Sequence, residues 1–142
     1  MIKQISVFVE NKLGRLAKVT KVLADADINL YAFSIGDTSD FGILRMIADK
    51  PQEAEAALKK AGLAINITQV LGLKLPDRPG SFAEAVKILS DEEISVEYMY
   101  AFSSALTKQA SVVIRVTDNE KAADILRRNN IQVINEGEFA KP

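Results

Sequence analysis

The chain has no cysteine, no histidine and no tryptophan among its 142 residues. Without cysteine there is no disulfide, no thiolate nucleophile and no zinc–thiolate centre. Without histidine the commonest general base and the commonest transition-metal ligand are missing, along with the group that titrates near neutrality. Asp, Glu, Lys, Ser and Tyr remain for catalysis, but these absences argue against an enzyme, and no cofactor or metal is expected. Charge of one sign is also lacking. The 18 basic and 19 acidic residues leave a net charge of −1, so no basic field draws nucleic acid or an anionic membrane. No apolar run approaches the ~20 residues that span a bilayer. Lys3 and Gln4 break the one stretch that could begin a signal peptide. A hydrophobic content of 48% with 26% charged residues predicts a packed fold rather than disorder. A cytoplasmic protein is expected.

What the sequence does have is a repeat. It reads "ENKLGRL" at 10–16 and "PDRPGSF" at 76–82. In each, Asn11 or Asp77 stands three residues before Gly14 or Gly80, and Leu16 or Phe82 follows two places later. At an offset of 66, residues 14–28 match 80–94 at six of fifteen positions: Gly14/Gly80, Ala17/Ala83, Lys21/Lys87, Leu23/Leu89, Asp25/Asp91 and Ile28/Ile94. Unrelated stretches of this composition share roughly one. Later parts align at an offset of 68, with Ala54/Ala122 and Leu58/Leu126. The two extra residues fall between Ser103 and Gln109, in a hairpin loop. The chain is thus a tandem duplication, with domains at 1–68 and 69–142.

Each copy carries the same order of elements. Ile5, Val7 and Val9 alternate with polar neighbours, which predicts a strand. Leu16, Val19, Val22, Leu23 and Ala26 recur at helical spacing and form one apolar stripe. Asn29–Ile35 and Ile43–Ala48 read as strands around the loop "GDTSDFG" at 36–42. A second helix opens at Pro51 and closes at Gly62, and Ala64–Thr68 makes a fourth strand. The second copy repeats this at Val70–Leu75, Phe82–Ser90, Ser95–Phe102, Ala110–Val116, Ala122–Arg128 and Gln132–Asn135. The order βαββαβ predicts an α+β, ferredoxin-like unit with both helices on one face of an antiparallel sheet. Ile65–Leu75 runs almost straight from one copy into the next.

The echoed corners have two readings. Any strand-to-helix corner favours Asn or Asp for an Asx turn, and Pro-Gly suits a tight turn. Alternatively, a helix N-terminus offers unpaired N–H groups and partial positive charge. Glycine lets a ligand approach that backbone closely, and a carboxylate fits there. A short polar side chain upstream could take an ammonium group, so one small zwitterion would satisfy both ends. No Walker loop or G-x-G-x-x-G is present. Asp77 carries charge and Asn11 does not, so unequal affinities are expected, with the Asp77–Gly80 corner the stronger.

A βαββαβ unit opening with [Asp/Asn]-x-[Pro/Leu]-Gly-x-[Leu/Phe] resembles the ACT domain, a small-molecule-binding regulatory module. "DRPGSFAEAVKIL" is close to that family's loop and helix, while "NKLGRLAKVTKVL" has Leu13 where proline is common. The resemblance spans nearly the whole chain as two copies. It implies side-by-side pairing of the domains into one eight-stranded sheet with helices on one face, and an amino acid bound at the junction. The residues it implicates are Asn11, Leu13, Gly14, Arg15, Leu16 and Asn29, with Asp77, Pro79, Gly80, Ser81, Phe82 and Ser95. Across a junction, Asn11 would act with Ser95 and Asp77 with Asn29. Val9 stands where some members have histidine, so one polar contact is missing.

The resemblance implies a stand-alone, non-catalytic sensor of an amino acid. The alternative is a regulatory subunit of an amino-acid biosynthetic enzyme, similar to the small subunit of acetolactate synthase. Acylphosphatase-like chemistry would need an arginine in a glycine-rich loop, and neither Arg15 nor Arg78 has that surround. The acidic "DEEIS" at 91–95 fits no EF-hand spacing and reads as solvated loop. Tyr98, Tyr100 and Phe102 alternate as an RNA-stacking platform would, but "SVVIRVT" lacks the companion aromatics. Phe8, Tyr31, Phe33, Ile43 and Ile47 are expected on outer sheet faces, where a second copy of the chain would cover them. A homodimer is the expected assembly.

Overall fold

Nine residues of alternating pattern make β1 (Ile2–Glu10), and eleven of helical period make α1 (Arg15–Asp25). They are followed by β2 (Leu30–Asp37), β3 (Phe41–Ala48), α2 (Pro51–Lys60) and β4 (Ile65–Pro76). Then come α3 (Ser81–Asp91), β5 (Val96–Ser104), β6 (Gln109–Val116), α4 (Asn119–Arg128), β7 (Gln132–Ile134) and α5 (Glu136–Phe139). This computed structural model describes residues 1–37, 41–104 and 108–139. The tips of both central hairpins, including residues 38–40 of the predicted loop at 36–42, lie outside the described residues.

The chain forms two compact units, Lys3–Thr68 and Met1–Ile2 with Gln69–Pro142. In the first, β3 pairs antiparallel with both β1 and β2. The Phe8 N–H donates to the Ala64 carbonyl at 3.0 Å, which brings the chain entering β4 alongside β1. In the second, β6 pairs with β5 and β4, and β7 pairs with the far edge of β4. Both units therefore have the ferredoxin-like arrangement. Eight separate strands were expected, but seven form among the described residues. The fourth strand of the first unit and the first strand of the second run on as β4, because no turn residue interrupts 65–76.

Each unit has its own core under its helices. In the first, Ile5, Val7, Val9, Leu44 and Met46 pack with Val19, Leu23, Ala54 and Leu58. In the second, Leu71, Leu73, Leu75, Val112 and Ile114 pack with Ala85, Leu89, Ala122 and Leu126. All four long helices stop in the same way. Asp27, Gly62, Glu93 and Asn130 adopt left-handed backbone, and the next N–H reaches back to a carbonyl five residues earlier. These bonds, Ile28 to Leu23, Leu63 to Leu58, Ile94 to Leu89 and Ile131 to Leu126, are the 6→1 bond of a Schellman motif. Glu93 thus has a structural task, and Asp91 pairs with Lys87 at 2.6 Å. The acidic residues Asp91, Glu92 and Glu93 are exposed, as a solvated segment requires, but they form the end of α3 and its stop rather than a plain loop. The repeat extends to detail, since Lys21–Asp25 forms the equivalent i,i+4 pair at 2.9 Å.

Some expectations change. Phe33 lies opposite Met46 and so points to the helix side of β2 rather than the expected outer face; Ile35, opposite Leu44, shares that side. Phe8 and Ile43 do sit opposite each other on the outer face. Tyr98 and Tyr100 lie opposite Arg115 and Val113, half-buried; the side chain of Phe102 lies outside the description. Helix α4 starts earlier than expected because Asp118 caps it, accepting from the Lys121 N–H at 3.1 Å. A final short turn, α5, is closed by a reciprocal capping box between Asn135 and Glu138.

Gly72 shows how tightly the second unit is packed. A Cβ there would overlap Ile2 Cδ1 and come within 2.9 Å of Ile134 Cγ1. Gly72→Ala should therefore lower stability by about 1–3 kcal/mol, read as a fall in the urea midpoint with an unchanged m-value. An unaltered midpoint would show that Ile2 and Ile134 yield freely.

Candidate functional site

The two corners are the same structure built twice. In the first, the Lys12 N–H donates to the Glu10 carbonyl (2.8 Å), Arg15 N–H to Lys12 (3.2 Å) and Lys18 N–H to Gly14 (3.0 Å). In the second, Arg78 donates to Pro76 (3.0 Å), Ser81 to Arg78 (3.3 Å) and Glu84 to Gly80 (2.9 Å). Every donor and acceptor is displaced by 66 residues. Gly14 and Gly80 each have φ of +86° at the helix N-cap. That region costs an L-residue roughly 1–2 kcal/mol, so glycine is favoured there whatever else the corner does. A Cβ on either would meet no protein atom. The space above both backbones is open.

No side-chain cap closes either helix. Asn11 and Asp77 are exposed, and their side chains make no hydrogen bond or ion pair among the described residues, although the Asp77 backbone N–H donates to the Lys108 carbonyl at 2.9 Å. The Asx turn offered by the simpler reading does not form; backbone bonds and the left-handed glycine hold the corner instead. The N–H groups of Leu16 and Ala17, and of Phe82 and Ala83, find no acceptor among the described residues. By contrast α4 has Asp118 as its cap. Uncapped N–H groups at a positive helix end, with an open approach, are suited to a carboxylate.

Each corner borders a hollow. A cavity of about 400 Å³ in the first unit is lined by Val9, Glu10, Asn11, Lys12, Leu16, Ile35, Gly36 and Gly42. Its counterpart in the second unit, about 160 Å³, is lined by residues that include Asp77, Ser81, Phe82, Met99 and Ala101. A third hollow of about 270 Å³ lies beside Arg15 and Lys18, with Phe8 and Phe41 in its wall.

The electrostatics differ between the corners. Lys12 Nζ lies 3.2 Å from Glu10 Oε2. That hydrogen bond, then the charges of Lys12 and Arg15, hold the Glu10 carboxyl below its usual range. Lys12 is thus committed to Glu10, while Arg15 makes no ion pair among the described residues. The second corner has Pro76 and Ser81 at those positions, and Ser81 is buried.

The structure therefore brings Asn11, Gly14, Arg15 and Leu16 together at one corner, and Asp77, Gly80, Ser81 and Phe82 at the other. Leu13 and Pro79 occupy the exposed tips and line neither cavity. Asn29 and Ser95 do not join the corner of their own unit. Each follows an 11-residue helix that runs ~16 Å back along the sheet. The Asn29 N–H donates instead to Asp49 Oδ1 at 3.0 Å, and the Ser95 carbonyl accepts from Thr117. Ile35 and Gly42, and Met99 and Ala101, were missed as lining residues. The 66- and 68-residue offsets hold the signal, since they align each strand of one cavity with its counterpart.

Two ferredoxin-like units with uncapped glycine corners define a small-molecule-binding regulatory module of duplicated build. The chain belongs to the ACT domain pair family, whose model matches residues 1–141. It is similar to protein BT0572 from Bacteroides thetaiotaomicron, with 41% identity over 99% of this chain and 96% of that one and a TM-score of 0.93. The ligand-free regulatory subunit of aspartate kinase from Thermus thermophilus shares the fold at 20% identity, covering 90% of each chain with a TM-score of 0.67. Its counterpart from Thermus flavus also has 20% identity, covering 89% of this chain and 88% of that one, with a TM-score of 0.64. No protein of curated function matches the chain. Among the described residues no helix is long and apolar enough to cross a membrane.

Removing the Lys12 ammonium should release Glu10. In Lys12→Met the Glu10 carboxyl is expected to titrate at higher pH, measured by NMR of the side-chain carboxyl carbon. The sign of the linkage follows. In the parent protein the Glu10 contribution to stability is present above the unfolded-state pKa and is lost as pH falls through the lowered folded value. An unmoved titration in the variant would show that Lys12 is not the cause.

Proposed function

We propose that the protein binds a free amino acid at its glycine corners and signals the level of that amino acid to another protein. The observation that carries this reading is the pair of uncapped helix N-termini, each with the unengaged side chain of Asn11 or Asp77 three residues ahead of a left-handed glycine. The α-carboxylate would accept from the Leu16 and Ala17 N–H groups, or from Phe82 and Ala83. The ammonium group would donate to Asn11 or Asp77. Asn29 and Ser95 remain proposed contributors on the strength of the family resemblance. Binding stabilises whichever conformations hold the corner ready and so shifts their population. The readout falls to another protein, and the ACT domain pair is a regulatory module rather than a catalytic one. A homodimer acting in the cytoplasm fits a cysteine-free chain that needs no disulfide.

A second reading is a regulatory subunit held permanently on an amino-acid biosynthetic enzyme. The neighbouring Phe8 and Phe41, 44% and 50% exposed, favour it by offering an apolar surface to a partner. The two readings separate in a native pull-down, where a permanent subunit returns one stoichiometric enzyme and a free sensor does not.

The main test is a thermal-shift screen against the common amino acids. At one hundred times its dissociation constant a ligand should stabilise the protein by about 2.7 kcal/mol. Asn11→Ala or Asp77→Ala should reduce that shift, since a hydrogen bond to a charged group contributes about 1.5–3 kcal/mol. If neither variant changes the shift, the ligand sits elsewhere.

A further inference from the structure

The two corners match, but the hollows beside them do not, and the difference lies in where the bulky apolar side chains go. In the second unit Phe82 and Met99 are half-buried and pack against the core. They fill the space between α3 and β5, leaving about 160 Å³. The repeat places Leu16 at the position of Phe82, Phe33 at that of Met99 and Ile35 at that of Ala101. None of the three is part of the first unit's core cluster or among the residues packed against it. Leu16 is 41% exposed, Ile35 51% and Phe33 66%. Leu16 and Ile35 instead line the open cavity of about 400 Å³. Buried Val9 and Gly42 complete its apolar lining, and Glu10, Asn11 and Lys12 its polar rim.

A single exposed leucine needs no explanation. Here two apolar side chains, from α1 and from the edge strand β2, line one concave space of about 400 Å³, whereas Phe82 and Met99 narrow the equivalent space in the second unit to about 160 Å³. Leu16 also belongs to both ends of the site. Its N–H is one of the uncapped donors, and its side chain is part of the apolar wall. A small amphiphile whose carboxylate meets that N–H would carry its own side chain toward Leu16 and Ile35.

We infer that the first-unit cavity is a specificity pocket for an amino acid with a bulky apolar side chain, branched aliphatic, thioether or aromatic, walled by Leu16 and Ile35. The second corner, filled by Phe82 and Met99, rejects such side chains. This rests on the reading of the corners as amino-acid receptors. For these ligands it reverses the order of affinity that the charge of Asp77 predicts. The surplus room, not the extra charge, decides which corner is used.

Titration calorimetry on the full chain tests this with L-leucine, L-isoleucine, L-methionine and L-phenylalanine against glycine, L-alanine and L-serine. At least one of the first group should bind at one site per chain, about tenfold or more tighter than alanine. Ile35→Ala should weaken that ligand by about tenfold while leaving alanine binding within a few-fold. Ala101→Ile, at the equivalent position of the second unit, should change neither. Both altered side chains are exposed, so an unchanged Tm without ligand establishes that the variants fold. If glycine, alanine or serine binds tightest, the sensor reading stands and the pocket assignment is overturned. It is also overturned if Ile35→Ala leaves leucine affinity intact. If no amino acid binds, both readings fall. If instead the ligand-free chain is a dimer that Ile35→Asp dissociates, with no bulky amino acid bound by the parent, the wall is a subunit contact and not a pocket.

Discussion

Everything at the candidate site depends on one backbone constraint, the left-handed glycine that turns the end of the first strand into the first helix of each unit. At φ of +86° the chain can start a helix without recruiting any side chain. Short backbone bonds hold the loop, and the first free N–H groups of the helix face open space. A serine or aspartate cap would satisfy those donors and close the site. The corner thus gives up a little helix stability and leaves its donors open, which is the opposite choice from that made at α4.

Duplication allows the two units to diverge where the fold does not depend on the residue. The glycine, the helix-ending 6→1 bonds and the core leucines recur because each is demanded by geometry or burial. The residues flanking the corner do not. Glu10, Lys12 and Arg15 make the first corner a charged network, whereas Pro76, Arg78 and Ser81 make the second sparer. Leu16 and Phe82 share a register but not their packing, since Leu16 stands exposed in a cavity wall while Phe82, beside a smaller hollow, also packs on a core. A regulatory module with two such corners can give them unequal tasks without altering its scaffold.

Such a module acts through populations. Under the proposed reading a bound zwitterion would favour the conformations in which its corner is ordered, and any partner that distinguishes those conformations would read the occupancy. The coupling needs no catalytic group on this chain. It needs only that ligand and partner prefer the same conformations by different amounts.

Much of this was written in the sequence. Alternation and helical period located the strands and long helices, save that two expected strands run on as β4 and α4 starts earlier, because burial on one face imposes a period that survives in the residues. The repeat exposed the duplication, and the glycines marked both corners. Other features depended on three-dimensional packing. Strand register put Phe33 and Ile35 on the helix side of β2, and a bulge after Leu30 sets that register. The helical stripe assigned Leu16 to the core, yet the structure leaves it beside a cavity. Periodicity reports which way a side chain points from its own element. Whether anything meets it there is decided by the neighbouring strand, and only the folded chain supplies that neighbour.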